Sequence, residues 1–416
     1  MMKKYVFVPL MLLLLCVSSC SSFVALERSN HEYSDSAFLS YIESENIPLT
    51  KNNQVVILNG AHVKFDSLLA DINRAKHHIH LEYFNFRNDS INKVVIGALA
   101  KKAKEGVEVR AMFDAFGNIS NDRPLKKKDL EAIRAQGIEI IKFDPINFPW
   151  VNHNSRDHRK IVVIDGKIGY TGGINVADYY LNGIEGIGEW RDMHARVTGE
   201  AVNELQKIFL KMWEKEGGGH IEGEAYYPSH HQEDGSDIAV VDRWPRKTPK
   251  QMRRAYANAI HSAKDSIVLI SPYFLPMPIV HNALEKAIDE GVKVTIIVSE
   301  KGDIMAIPDG VWRVAYKLMK RGAEVYMYKG GFNHSKVMCI DGKFCTIGSA
   351  NLNSRSLLYD YETNLFIFGA EDTKELQHYI ELDKKNSYRL TKEIYKERSC
   401  WRRFVGWVVC LFKPFM

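Results

Sequence analysis

The chain has 416 residues, enough for two domains of ordinary size. Hydrophobic residues make up 45% and charged residues 26%, which excludes a largely disordered chain. A net charge of +5 favours an anionic partner but is too small and too evenly spread to mark a nucleic-acid-binding protein.

Residues 1–22 read as an export signal and not as part of the fold. Lys3 and Lys4 form a basic start, Val6 to Val17 is an apolar stretch, and small residues lead to Cys20. The ending Val17-Ser18-Ser19-Cys20 resembles a bacterial lipobox, which would make Cys20 a lipidated residue. The alternative is an uncleaved signal anchor, although the apolar run is short for a spanning helix. Lys3 and Lys4 favour a cytoplasmic N-terminus. Under either reading the catalytic body lies outside the cytoplasm, on the periplasmic side of a cell membrane.

Residues 23–50 are polar and read as a connector. Val55-Val56-Ile57-Leu58 is a short strand closed by the turn Asn59-Gly60. Phe65, Leu68, Leu69 and Ile72 recur at helical spacing, and Ile79–Phe84 alternates as a strand. A helix over about 91–105 ends at Gly106, where a left-handed conformation suits glycine, and the strand Val107–Phe113 follows.

This plan repeats. Ala75-Lys76 is echoed by Ala263-Lys264, Glu105-Gly106-Val107 by Glu290-Gly291-Val292, and Gln136-Gly137-Ile138 by Arg321-Gly322-Ala323. The expected architecture is α/β, with two similar α-β-α halves over 50–215 and 237–385 packed as a pseudo-twofold pair around one active site. Residues 216–236, opening on Gly217-Gly218-Gly219, read as the linker, and 386–416 as a tail. Of six cysteines, only Cys339 and Cys345 fall in the body, where they read as small buried hydrophobes.

The repeat is strongest in two segments. His158-Arg159-Lys160 runs through an apolar stretch to Asp165-Gly166-Lys167 and on to Gly172-Gly173-Ile174-Asn175. His334-Ser335-Lys336 runs likewise to Asp341-Gly342-Lys343 and Gly348-Ser349-Ala350-Asn351. Every matched residue keeps one offset of 176. In an extended strand His and Lys two apart share a face. Asp-Gly-Lys supplies a hairpin turn, and the return strand brings Gly-x-x-Asn beside the pair. Two such faces would place two histidines, two lysines and two asparagines around one phosphate, with Gly173 and Ser349 beside Asn175 and Asn351 as phosphate-binding positions. Lysine and amide donors neutralise charge on the non-bridging oxygens. One histidine attacks phosphorus and the other moves the proton, with no metal or other cofactor expected. Asp165 and Asp341 belong to the catalytic motifs as written, but read as turn and packing elements more than as catalysts.

The paired motifs resemble the phospholipase D superfamily, and the surrounding text resembles its bacterial cardiolipin synthase branch over about 50–400. The resembling stretches include Ile79–Phe84, Asp114 with Gly117, Arg156–Lys160, Trp190-Arg191-Asp192, Pro272–Pro276 and Asn351–Ser356. In that family an acidic residue roughly thirty positions after each catalytic histidine orients its ring, and the matching positions are Asp192 and Glu362. Asn353 stands where the family usually has Asp, which leaves the hydrogen bonding of that turn open. The resemblance implies a phosphatidyltransferase that joins two phosphatidylglycerol molecules into cardiolipin and glycerol, with His158 favoured as nucleophile. A hydrolytic phospholipase D is the first alternative. A phosphodiesterase nuclease is the second, disfavoured by the export signal and modest charge. The expected partners are therefore phosphatidylglycerol and a membrane surface, with no nucleic acid. Trp401, Phe404, Val405, Val408, Leu411, Phe412 and Phe415 fall near one face of a helix flanked by Arg402, Arg403 and Lys413, a pattern that suits either a helix lying on an anionic leaflet or a final helix packed on the body.

Overall fold

Each glycine-closed helix delivers a strand, and the strands of both halves join one sheet. A computed structural model describes residues 38–144, 155–231 and 234–416. The export segment with Cys20 lies outside the described residues. The first-half strands are β1 (Leu49–Asn59), β2 (His78–Tyr83), β3 (Glu108–Asp114), β4 (Ile138–Phe143), β5 (Lys160–Ile164), β6 (Ile168–Gly172), β7 (Glu189–Arg191) and β8 (Met193–Thr198). Those of the second half are β9 (Ser236–Arg243), β10 (Ser266–Ile270), β11 (Lys293–Ser299), β12 (Glu324–Tyr328), β13 (Gly331–Asn333), β14 (Val337–Ile340), β15 (Phe344–Gly348), β16 (Glu362–Phe368) and β17 (Ser387–Arg389).

The main sheet has 15 strands in the order β4-β3-β2-β5-β6-β8-β1-β9-β16-β15-β14-β10-β11-β12-β17. Apart from β17 the order is palindromic about the β1–β9 pair, so the pseudo-twofold axis passes through that junction. There Thr50 and Asn53 side chains bond to the Ile238 and Ser236 carbonyls at 3.0 and 3.1 Å, reinforcing the short β1–β9 ladder.

Helices cover both faces. On one face lie α2 (Ala61–Arg74) and α3 (Ser90–Lys104) of the first half, with α6 (Gln251–His261), α7 (Pro278–Asp289) and α8 (Ile307–Arg321) of the second. The other face carries α5 (Ala201–Lys215) and α9 (Ala370–Lys385), and its core mixes Ile161 and Leu205 with Ile347, Leu376 and Ile380. The short helices α1 (Phe38–Ser44) and α4 (Lys127–Arg134) lie at the periphery, with α10 (Lys392–Glu397) and α11 (Cys400–Leu411) after the second half. Because one core takes side chains from both halves, their relative placement rests on packed apolar surface. Cys339 and Cys345 are buried there as free thiols.

One boundary differs from the sequence reading. The connector expected over 23–50 is folded from Phe38 onward, where α1 buries Phe38 and Ile42 in the core of the second half. Phe38 sits 5.5 Å from Phe344 and 5.0 Å from Phe366, ring centre to ring centre. Seven residues span only two helical turns, too short to register as a periodic pattern, yet Phe38 and Ile42 are enough to dock them.

The hairpin aspartates are structural. Asp165 accepts the backbone N–H groups of Lys76, His77 and His78 at 2.8, 2.7 and 3.0 Å. Asp341 does the same for Lys264, Asp265 and Ser266 at 2.8, 2.8 and 2.7 Å. Each fastens the entry of β2 or β10 to the hairpin at the far end of β5 or β14, up to about 23 Å of extended chain from the histidine. This distance removes both from the catalytic set in which the motif places them. Asp165→Asn is expected to cost about 2 kcal/mol through weakened charge-assisted bonds. Denaturant titration checks the loss, and turnover per folded molecule should stay within about twofold of the parent.

Candidate active site

The segments that carry the histidines lie at the sheet end where the halves meet. Arg156 and His158 bracket Tyr361 of the other half: Tyr361 N–H donates to the Arg156 carbonyl at 2.8 Å and His158 N–H to the Tyr361 carbonyl at 3.1 Å. The mirror arrangement pairs β7 with β13, and His334 N–H donates to the Arg191 carbonyl at 2.6 Å. Each histidine is thus stitched by backbone bonds to the residue just before the other half's acid.

The acids are exchanged as a result. His158 Nδ1 lies 2.9 Å from Glu362 Oε1, and His334 Nδ1 lies 2.8 Å from Asp192 Oδ2. This corrects the reading in which each acid orients the ring of its own half. A carboxylate on Nδ1 fixes the tautomer and turns Nε2 toward the site. The two lysines sit as the period of two requires. Lys160 Nζ donates to the His158 carbonyl at 2.6 Å and Lys336 Nζ to the His334 carbonyl at 2.5 Å.

Residues expected to touch phosphate divide into two groups. Asn175 and Asn351 are buried beside the histidines, and Asn351 lines the cavity with His158. The Oδ1 of Asn351 is buried without a hydrogen-bond partner. Ser349 instead donates its hydroxyl to Glu362 Oε2 at 2.5 Å, and a Cβ on Gly173 would run into both oxygens of Asp192. These equivalent positions both meet the orienting carboxylates, one by a hydrogen bond and one by leaving room. Asn353 Oδ1 accepts the Ser356 N–H at 2.9 Å, so an amide closes the turn where the family usually has Asp.

Several participants carry a signal that the motif alone does not show. Asn175 Nδ2 donates to the Tyr180 hydroxyl at 3.1 Å, and Asn351 Nδ2 to the Ser356 hydroxyl at 3.4 Å. Tyr180 and Ser356 keep the 176-residue offset, so extending the repeat five positions would have found them. Two further carboxylates brace the His–acid pairs. Asp383 accepts from Arg191 Nε at 2.9 Å and Asn333 Nδ2 at 2.8 Å, the residues preceding Asp192 and His334. Asp242 accepts from Arg159 Nε at 2.9 Å and the Thr363 hydroxyl at 3.1 Å, the residues following His158 and Glu362. Nothing in the spacing points to these two.

Burial sets the protonation states. It pushes His158 down to about 4 and His334 well below the usual imidazole range, so both rings are neutral near pH 7. Burial also lowers Lys160 to about 8 and Lys336 to about 7. Asp192 is raised to about 7 by burial, against the pull of Lys336. Burial opposes ionisation of Glu362 too, but contact with His158, the Lys160 charge and the Ser349 hydroxyl outweigh it and hold that carboxyl below its ordinary range.

An anion at the lysines should reverse their shifts. Where the free lysines are neutral and the bound ones are not, binding takes up protons, so affinity falls as pH rises above about 8. Tungstate, a dianion throughout this range, is expected to lose about tenfold in affinity per pH unit for each lysine that must be protonated, up to about a hundredfold for both. Calorimetry in buffers of different ionisation enthalpy at pH 8 should show net proton uptake.

The cavity that opens on His158 has a volume of ≈ 280 Å³. Its walls include Phe84, Phe116, Tyr273, Leu275 and Ile307 beside the polar Asn351 and Arg355. The Phe84 ring lies 5.2 Å from His158, and Tyr273 6.1 Å from His334. Polar His158 and Asn351 within largely apolar walls fit a phosphodiester attached to a large apolar body.

The fold is shared with solved structures. Phosphatidylserine synthase of Haemophilus influenzae Rd KW20 superposes with a TM-score of 0.71 at 14% identity, covering 91% of this chain and 99% of that one. Polyphosphate kinase of Porphyromonas gingivalis gives 0.54 at 15% identity, covering 82% of this chain and 49% of that one. At these identities the likeness defines the fold. In sequence, the chain matches the family described as "Cardiolipin synthase, PLD-like domain" over residues 68–213 and 256–384. It is 35% identical over 372 residues to a cardiolipin synthase of Listeria monocytogenes serotype 4b, covering 88% of this chain and 76% of that protein. A cardiolipin synthase of Staphylococcus aureus strain Mu50 is 36% identical, with 88% and 74% covered. The chain belongs to the cardiolipin synthase, PLD-like domain family.

Proposed function

We propose that the protein transfers a phosphatidyl group from one phosphatidylglycerol to another, giving cardiolipin and glycerol. The observation that carries this reading is the pair of neutral, carboxylate-held imidazoles, each with a buried lysine on its carbonyl, one of which, His158, opens on a largely apolar cavity. His158 is assigned as the nucleophile because it lines the cavity, whereas His334 does not and is the more buried of the two. Its Nε2 attacks phosphorus, forming a P–N bond as the P–O bond to glycerol breaks. His334 gives a proton to the departing glycerol oxygen, and the anionic phosphate beside it favours the protonated ring that this step needs. The hydroxyl of a second phosphatidylglycerol then gives its proton to His334 and displaces His158, restoring both rings. Lys160, Lys336 and Asn351 stabilise the charge on the non-bridging oxygens.

The body works at a membrane surface outside the cytoplasm, tethered through the N-terminal segment by Cys20 or as an anchor, a placement supported by the charge pattern of residues 1–22. No described helix is long and apolar enough to cross a membrane. The test is to incubate the purified protein with phosphatidylglycerol vesicles and identify products by mass spectrometry. Cardiolipin with an equal amount of glycerol, formed also in EDTA, is expected. Phosphatidic acid as the sole lipid product would make it a hydrolase and overturn the proposal.

A further inference from the structure

The C-terminal segment does two things at once. Helix α11 packs against α8 at backbone distance: a Cβ on Gly406 would run into the Asp309 carbonyl oxygen, and one on Gly310 into Val409. Arg398 and Arg402 both pair with Asp309, and the Arg398 guanidinium lies 4.1 Å from the centre of the Trp312 ring. Beyond the helix the chain turns into the active-site cavity. Arg355 N–H donates to the Met416 oxygen at 2.7 Å, the Tyr359 hydroxyl donates to the Pro414 carbonyl at 3.1 Å, and Met416 shares the cavity wall with His158.

The outer face of this docked helix is left largely uncovered by the described residues. Trp401, Phe404, Trp407 and Leu411 are 69%, 50%, 45% and 53% exposed, and the three rings follow one another at centre distances of 5.7 and 5.9 Å. A cleft beside Arg398 and Arg402 links this segment to the cavity mouth. Ile304 lines that cavity, and it also lines a neighbouring cleft with Met305, Lys301, Arg398 and Arg402. Ile304 is 51% and Met305 94% exposed. Phe116, which also lines the cavity, is exposed as well.

We propose that this aromatic row, the Ile304–Met305 loop and the basic cleft between them form one surface that rests on an anionic bilayer, with the cavity opening into the leaflet. The inference rests on the lipid substrate proposed above and specifies which face of the molecule meets the lipid. Charge complementarity favours this occupant. Residues 398–416 hold Arg398, Arg402, Arg403 and Lys413 and no acid, and the cleft sets Lys301, Arg398 and Arg402 against Glu300 and Asp309. Tryptophans at the headgroup level, apolar side chains below them and cations beside the phosphates are what an interfacial helix presents to such a leaflet. Because the same segment walls the cavity, docking sets a lipid's phosphate above His158 while its chains stay in apolar surroundings. The sequence left two destinations for this helix, the body and the leaflet. The Gly406 face meets the first, and the Trp401–Leu411 face is assigned to the second.

The test uses the full chain bound to phosphatidylglycerol vesicles whose acyl chains carry bromine. Bromine in the membrane should quench part of the tryptophan fluorescence of the parent, and Trp401→Phe with Trp407→Phe should remove most of the quenchable part. Quenching of the same size in that double variant would overturn the proposal, as would a stable dimer in which Trp401 and Trp407 are shielded from an aqueous quencher without lipid. A second variant, Phe404→Asp with Trp407→Asp, should lower the ratio of activity on vesicles to activity on a dispersed short-chain phosphatidylglycerol at least about tenfold. An unchanged ratio sinks the docking surface. The quenching is read without turnover, so it stands or falls apart from the identity of the lipid product.

Discussion

Replacing His158 with alanine is expected to lower phosphatidyl transfer on the order of 10⁴-fold or more, because no other group can take the phosphatidyl chain covalently. His334→Ala should be as damaging with phosphatidylglycerol as donor, yet the two variants part when the leaving group needs no proton. With a p-nitrophenyl phosphodiester, His334→Ala should release a burst of about one nitrophenolate per site and then stall, since no base activates the acceptor. His158→Ala should show no burst. Denaturing the stalled His334→Ala protein and locating the acid-labile phosphoryl adduct on His158 by mass spectrometry checks the assignment. A burst from His158→Ala, with the adduct on His334, would reverse the two roles.

The two orienting carboxylates should differ in how their loss depends on pH. Glu362 is held ionised, so Glu362→Gln removes a charge that is always present, and turnover should fall on the order of 10³- to 10⁴-fold at every pH from about 5 to 9. Asp192 is raised to about 7 by burial, so below that pH the parent already carries a neutral acid which an amide imitates. Asp192→Asn should therefore be mild in acid and grow worse as pH rises through about 7, where the parent gains its carboxylate and the variant cannot. Profiles of kcat against pH for both variants decide the matter. A pH-independent Asp192→Asn penalty would contradict the inequivalence of the two His–acid pairs.

Much of this was legible in the chain itself, for reasons that particular residues make plain. The strands of the two halves announce themselves through glycines such as Gly106 and Gly291, which end a helix and must be followed by an apolar run. The His and Lys pairs share faces because strand periodicity leaves no alternative. The exchange of Asp192 and Glu362 was not legible. Their separation is 170 residues and not 176, and a position in sequence says nothing about which side of a twofold axis a loop crosses. Asp242 and Asp383 were invisible for a related reason. They sit on β9 and α9, far along the chain from the histidines they brace, and look like ordinary charges at the edges of elements. Helix α1 escaped because its seven residues are too few to display a helical period.

The palindromic strand order has a further consequence. A true symmetric dimer of one half would present two identical histidines, and any change to one would be imposed on the other. Joining the copies in a single polypeptide lifts that constraint. Gly173 faces Ser349, Asp192 stands against Glu362, and Tyr180 against Ser356, each pair occupying one structural role with different chemistry. Neither half owns a complete His–acid pair, so the copies cannot part company. Yet because they are separately encoded they are free to diverge, one toward attack on phosphorus and the other toward carrying the proton.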